Sequence, residues 1–157
     1  MGTADMVTKE YMRENAIFAD AFNYLIYGGK KVIDPAGLTE IDTATSAVGK
    51  KDALQKYRDV LKAAVIKQDE KMSYVLLGIE NQTDVHYAMP VRNAIYDALQ
   101  YGRQVADIAA GHRRNKNDFS GKNNGEYLSG FLKEDHIRPV ITLVIHFGAE
   151  EWDGPLS

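Results

Sequence analysis

Apolar residues recur at helical spacing near the start of the chain, from about Lys9 to Tyr27. Residues three or four positions apart lie on one face of a helix, so this spacing predicts a single helix. Gly28 and Gly29 follow it and predict where it ends.

A β-hairpin is predicted from the pattern that follows. Residues 34–37, DPAG, form a turn, and residues 38–41 indicate a short strand or an irregular crossing. Residues 56–67, KYRDVLKAAVIK, and the apolar run 74–79, YVLLGI, are both rich in strand formers. The polar run 68–71 between them predicts a surface turn that joins two antiparallel strands.

A long helix is predicted from Met89-Pro90 to about Gly111. Proline suits the first helical turn, where its missing N–H has no partner, and glycine is common where a helix ends. At about 100° per residue, the buried stripe is predicted to contain Val91, Ile95, Ala98, Gly102, Ala106 and Ala109. The border of that stripe is predicted to contain Arg92, Tyr96, Gln100 and Arg103.

Residues 137–147, IRPVITLVIHF, form the most strand-like segment of the chain. A nearly continuous β-branched run is typical of a strand buried on both faces, so we expect this strand in the middle of a sheet. The predicted order is helix, possible strand, strand, strand, helix, strand. This order indicates an α/β fold with a mixed sheet flanked by helices.

The composition is that of a soluble globular protein. A chain of 157 residues with 45% apolar and 26% charged residues can enclose one core, and we expect residues 1–157 to form a single domain. No stretch approaches the roughly 20 apolar residues that cross a bilayer, so we expect no membrane association. The absence of cysteine excludes disulfides and thiolate chemistry, and it favours a cytoplasmic location.

The net charge of −3 argues against a globally basic surface that binds nucleic acid. Residues 115–125 are rich in Asn, Lys, Gly and Ser and predict a mobile loop. Positive charge is concentrated in and beside this loop, most clearly in residues 112–122, HRRNKNDFSGK. Any contact with phosphate is therefore expected to be local.

Two carboxylates are predicted to meet at one end of the hairpin. Asp59 and Glu80 lie at equal distances from the predicted turn, so antiparallel pairing places them side by side. Like charges in that position need a proton, a nearby cation or a bound metal to offset them. Mg²⁺ takes oxygen ligands and often uses one or two carboxylates together with a substrate phosphate.

Gln82 follows Glu80 by two residues, so strand alternation puts both side chains on one face and turns Asn81 away. An amide can orient a water molecule or a phosphate oxygen, although it supplies no positive charge. Asp59, Glu80 and Gln82 thus predict a phosphodiesterase site in which Asp59 and Glu80 hold Mg²⁺, with Mn²⁺ as a substitute. Arg92 and Tyr96 begin the border of the next helix and are predicted to bind substrate phosphate or the Glu80 carboxylate.

The chain also resembles a known family across nearly its whole length. The segments NAIFADAFNYLIYGG, KYRDVLK, YVLLGIENQTDVHYAMPVRNAIYDALQY and IRPVITLVIHFGAEEWDGP are similar to those of bacterial Rpn-type recombination-promoting nucleases, also described as transposase-like. These belong to the PD-(D/E)XK nuclease superfamily. Gln82 stands where most of that superfamily has lysine, and the chain stops at Ser157, where relatives commonly continue.

The resemblance implies a restriction-endonuclease-like αβββαβ core, truncated at its C-terminus, and metal-dependent DNA cleavage by Asp59, Glu80 and Gln82. It also implies a link to recombination or mobile elements, and a homodimer that cuts two strands. A second hypothesis is an inactive nuclease-like module that binds DNA or protein, which the neutral Gln82, the acidic net charge and the early C-terminus favour.

Overall fold

The computed structural model describes residues 3–41, 59–68, 71–115 and 119–156. Four helices and four strands occur in these ranges. The helices are α1 (Thr3–Arg13), α2 (Asn15–Leu25), α3 (Met89–Arg114) and α4 (Asn124–Ser129). The strands are β1 (Thr39–Glu40), β2 (Val60–Gln68), β3 (Lys71–Gln82) and β4 (Val140–His146), and a short 3-10 turn covers Pro35–Gly37.

The four strands form one mixed sheet in the order β1-β2-β3-β4. β1 and β2 pair antiparallel, as do β2 and β3, whereas β3 and β4 are parallel. Helices flank this sheet, so the predicted α/β class and the mixed sheet are confirmed. β3 has a strand on each side, and its C-terminal end therefore lies inside the sheet.

The predicted hairpin is present in the register expected from the sequence. Val60 lies opposite Ile79, and Gln68 lies opposite Lys71. The predicted strand segment 56–58 and the turn residues 69–70 lie outside the described residues.

The prediction that β4 is a central strand is wrong. Among the described strands it pairs only with β3, and its residues after Val140 are half-buried. A continuous β-branched run shows that a strand is covered on its faces, but it does not show whether a further strand pairs along its edge.

The single helix predicted for residues 9–27 is two helices with a break at Glu14. Glu14 has an extended backbone, with φ −63° and ψ 125°. Lys62, which is 1% exposed, points from β2 to this break. Its Nζ donates to the carbonyl of Arg13 and to Oδ1 of Asn15, the latter at 2.5 Å. The side chain of a strand residue thus stabilises the end of α1 and the start of α2, which helical periodicity did not predict.

Helices α1 and α2 cover one face of the sheet, and α3 covers the other. Phe18 and Phe22 of α2 pack with Leu77 and Ile79 of β3 in the larger core. Leu76, which points the opposite way, belongs to a smaller cluster that includes Tyr101 of α3. Side chains alternate along a strand, so Glu80 and Gln82 lie on the α3 face.

The predicted orientation of α3 is wrong by a rotation about its axis. Val91 is 63% exposed and Ile95 is 38% exposed, although both were predicted to be buried. Tyr96 and Gln100, predicted to lie at the border, are buried at 5% and 7% exposure. Of the predicted stripe, Ala109 is buried as predicted. The helix turns Tyr96 and Gln100 toward the sheet, and Arg92 reaches Glu80 at the end of β3.

Two further boundaries differ from the prediction. α3 continues past Gly111 to Arg114 and ends in His112, Arg113 and Arg114. The predicted loop at residues 115–125 contains the start of α4, with a capping box between Asn123 and Glu126. Residues 116–118 of the predicted basic loop lie outside the described residues. Among the described helices, none is both long enough and apolar enough to cross a membrane.

Replacing Lys62 tests its role in fixing α1 and α2. Lys62→Met should lower the free energy of unfolding by about 1–3 kcal/mol, because two part-buried hydrogen bonds from a buried ammonium to the helix break are lost. Lys30→Met, at an exposed lysine, is the control and should change it by less than about 0.5 kcal/mol. Urea unfolding measures both, and a Lys62→Met variant as stable as the wild type contradicts the assigned role.

The pH dependence gives an independent check on the same residue. Burial lowers the pKa of Lys62 below its ordinary value of 10.5, while Glu40 opposes the shift and Arg13 adds to it. Between the folded pKa and 10.5 the unfolded chain binds more protons, so stability rises with pH in that window. The stability of the wild type minus that of Lys62→Met should therefore increase toward pH 10.5. A difference that falls over this range contradicts the inference.

Candidate active site

A polar cavity of about 350 Å³ lies where β2 begins and β3 ends. Its wall is formed mainly by the end of β3 and the connection from β3 to α3. One residue each comes from α1, from the position just before β2, and from α3. The lining residues are Lys9, Asp59, Glu80, Asn81, Gln82, Thr83, Asp84, Val85, His86 and Arg92. Four of the five residues predicted for the site therefore line one cavity, and the fifth, Tyr96, contacts Arg92.

Asp59 reaches Glu80 through the hairpin register. Val60 pairs with Ile79, so Asp59, one residue earlier, comes beside Glu80. Asp59 Oδ2 accepts a hydrogen bond of 2.8 Å from the backbone N–H of Asn81, which fixes the carboxylate at the strand end. The prediction that these two acidic residues lie together at one end of the hairpin is confirmed, because both line the same cavity.

Glu80 is a nearly buried carboxylate, with 3% of its surface exposed. Its Oε1 accepts a hydrogen bond of 3.1 Å from Gln82 Nε2 and lies 3.0 Å from Nη2 of Arg92. An amide and a guanidinium thus converge on one oxygen. Of the three ways to offset the acidic pair, a proton, a cation or a metal, the described residues provide the cation.

Arg92 is held in place by Tyr96, one helical turn further along α3. Arg92 Nε donates a hydrogen bond of 2.9 Å to the Tyr96 hydroxyl, and its guanidinium lies 5.7 Å from the ring centre. Burial alone lowers the pKa of Arg92, but the Tyr96 hydrogen bond and the charges of Glu80 and Asp59 raise it more, so the pKa lies above its usual value. Arg92 therefore remains a permanent cation beside Glu80.

The oxygen donors of the cavity suit a hard divalent cation better than a soft one. Asp59 and Glu80 are the predicted ligands, and Asp84 brings a third carboxylate to the same cavity. Within the described ranges, however, no three acidic, histidine or cysteine side chains converge as a ready metal cluster. Two carboxylates still fit Mg²⁺, which retains several waters and takes remaining ligands from substrate phosphate.

The strand end beneath the cavity is held by the segment that follows β4. The N–H of Phe147 donates to the carbonyl of Gln82 at 2.8 Å. A Cβ at Gly148 would lie 2.0 Å from the carbonyl oxygen of Thr83, so only glycine allows this close approach. The chain just after Gln82 is therefore confined by backbone packing.

Six of the lining residues were not predicted as part of the site: Lys9, Asn81, Thr83, Asp84, Val85 and His86. Lys9 and His86 are the two basic ones. Lys9 comes from α1, far from the hairpin in sequence, and no local pattern connects the two. His86 follows the strand, and its Nδ1 is buried without a hydrogen bond to any described residue. Its position after the polar end of β3 is the only sequence signal that could have included it.

Comparison with known proteins identifies no relative of this chain. No family model, no curated protein and no solved structure matches the chain. The likeness to recombination-promoting nucleases therefore remains a resemblance of sequence segments.

Arg92→Met should destabilise the protein by about 1–3 kcal/mol, because Glu80 then stays buried without its cation. Adding Glu80→Gln should recover part of the loss, since the uncompensated charge is gone. Arg114→Met, at an exposed arginine of the same helix, is the control and should cost less than about 0.5 kcal/mol. Chemical unfolding of these variants measures the coupling, and simple additivity of Arg92→Met and Glu80→Gln would contradict it.

Proposed function

We propose that this protein is a metal-dependent DNA endonuclease that hydrolyses phosphodiester bonds. The observation that carries the proposal is the assembly of Asp59, Glu80, Gln82 and Arg92 in one cavity at the end of the central strand. Asp59, Glu80 and Gln82 are the residues that the nuclease resemblance implies, and Arg92 is the one predicted from the border of the helix. They come from separate segments of the chain. The acidic and amide residues form the hydrolytic part, and Arg92 with Tyr96 forms the part that positions substrate.

Asp59 and Glu80 are proposed to hold Mg²⁺, for which Mn²⁺ can substitute. When bound, the ion supplies Lewis-acid stabilisation of the phosphate charge and lowers the pKa of an attacking water. The two carboxylates would fix the position of the ion. Asp59 is itself fixed by its hydrogen bond from the N–H of Asn81.

The reaction is a hydrolysis at phosphorus. The oxygen of a water forms a bond to phosphorus as the bond from phosphorus to the sugar oxygen breaks. The attacking water loses a proton to solvent, and the leaving oxygen gains one. Gln82 keeps the Glu80 carboxylate oriented through its 3.1 Å hydrogen bond, and Arg92 favours an anionic phosphate at the cavity.

The proposal extends to the finer fold and to the setting of the enzyme. The order of the helices and strands supports a restriction-endonuclease-like αβββαβ core in which the two-residue β1 is the first strand. We also propose a cytoplasmic protein that acts on DNA in recombination or on mobile elements. A homodimer would bring two such cavities to the two strands of a duplex.

A second candidate function is a nuclease-like module that binds DNA or protein without cleavage. It is favoured by the Arg92–Glu80 ion pair, because a carboxylate that already has a cation has less need of a metal. Metal binding separates the two functions: the enzyme binds Mn²⁺ through Glu80, whereas the module does not.

The proposed activity is tested by cleavage of plasmid DNA with Mg²⁺ or Mn²⁺. Asp59→Asn and Glu80→Gln should each reduce the rate by about 100-fold or more, because the metal contribution is worth several kcal/mol. Asp107→Asn, an isosteric change at a carboxylate of α3 outside the cavity, should keep full activity. Calorimetric titration with Mn²⁺ should show binding that Glu80→Gln removes. Undiminished cleavage by Asp59→Asn and by Glu80→Gln places the chemistry elsewhere.

A further inference from the structure

The cavity contains a cation whose role the proposed site leaves open. Lys9 of α1 lines the same cavity as Asp59, Glu80 and Gln82, and it is half-buried there. Among the described residues, no carboxylate lies within salt-bridge distance of it, and it has no hydrogen bond to another described side chain. Its ammonium therefore has donors to offer to a ligand.

The other cation of the cavity is already engaged. Arg92 Nη2 lies 3.0 Å from Glu80 Oε1, and Arg92 Nε donates a hydrogen bond of 2.9 Å to the Tyr96 hydroxyl. Gln82 is neutral, and its amide nitrogen is directed to Glu80. Of the lysine and arginine residues that line the cavity, Lys9 is thus the one not paired with a described carboxylate, and its charge can add to that of a bound Mg²⁺.

Packing of α1 against the sheet fixes the position of Lys9 at the cavity. Met12, one turn later on the same face of α1, is buried at 6% exposure in the main core. The carbonyl of Arg13 is bound by Lys62 from β2, and Arg13 Nε lies 3.1 Å from Glu40. These contacts fix the C-terminal turn of α1 against the sheet. The turn that carries Lys9 is thereby held near the start of β2 and the end of β3.

We infer that Lys9 binds the phosphate of the substrate and supplies from α1 the positive charge that Gln82 lacks on β3. This inference rests on the proposed function, which names the cavity as the place where a phosphodiester binds. Lys9 donates hydrogen bonds to a phosphate oxygen and balances charge that builds up there. The phosphate is thus bound between a cation on α1 and a cation on α3.

The test uses a small probe, a 5′-phosphorylated dinucleotide, in the presence of Ca²⁺, which takes oxygen ligands as Mg²⁺ does. Isothermal titration should show that Lys9→Met weakens binding about tenfold or more, as expected for a lost charge-assisted hydrogen bond. Lys9→Arg, which keeps the charge, should bind within a few-fold of wild type. Lys133→Met, at an exposed lysine beyond the far end of α3, is the control and should bind like wild type. Thermal unfolding checks that all variants are folded.

The outcomes separate this inference from the proposed function. Wild-type affinity in Lys9→Met overturns the inference, even if DNA cleavage still depends on Asp59 and Glu80. Loss of probe binding in Lys9→Met supports it, even if the wild type cleaves no DNA, in which case the proposed function alone fails. A wild type that binds no dinucleotide, or an equal loss in Lys133→Met, overturns the inference whatever the cleavage assay shows.

Discussion

The charge of a nearly buried carboxylate, Glu80, governs the arrangement of the candidate site. A carboxylate with 3% of its surface exposed is stable only with hydrogen bonds and a nearby cation. Arg92 provides that cation, Gln82 provides a hydrogen bond, and Tyr96 fixes Arg92 in turn. The rotation of α3 follows from the same requirement. The helix directs Arg92 and Tyr96 toward the strand end, and it leaves Val91 and Ile95 exposed.

A second buried charge, Lys62, organises the opposite face of the sheet. It is bound to the break between α1 and α2, where a helix end exposes carbonyl groups that need donors. Glu80 and Lys62 thus tie the helices of each face to the central strands by a polar contact as well as by apolar packing. One contact places Arg92 and the other places Lys9, so the cations of the cavity depend on two separate anchors. This arrangement explains how residues from α1, β3 and α3 come to line one small cavity.

The features that the sequence predicted depend on local spacing. The β2–β3 register and the pairing of Asp59 with Glu80 follow from counting residues on each side of a turn, and strand alternation predicts that Gln82 shares the face of Glu80. The features that it missed depend on partners that are distant in the chain. The break at Glu14 is bound by Lys62 from β2, and the orientation of α3 brings Arg92 to Glu80. The edge position of β4 among the described strands depends on which strand pairs with it. Lys9 belongs to this second group, because no spacing rule links residue 9 to residue 80.

The hairpin register also bears on the order in which the site assembles during folding. Contacts between β2 and β3 span a short turn and close early, whereas the parallel pairing of β3 with β4 and the docking of α1 join distant parts of the chain and close late. Asp59 and Glu80 are therefore expected to meet before α1 has docked. An incompletely folded chain then carries the repulsion of two carboxylates without the lysine of α1 beside them. We therefore expect the cavity to gain its full set of charges only in the last steps to the native state.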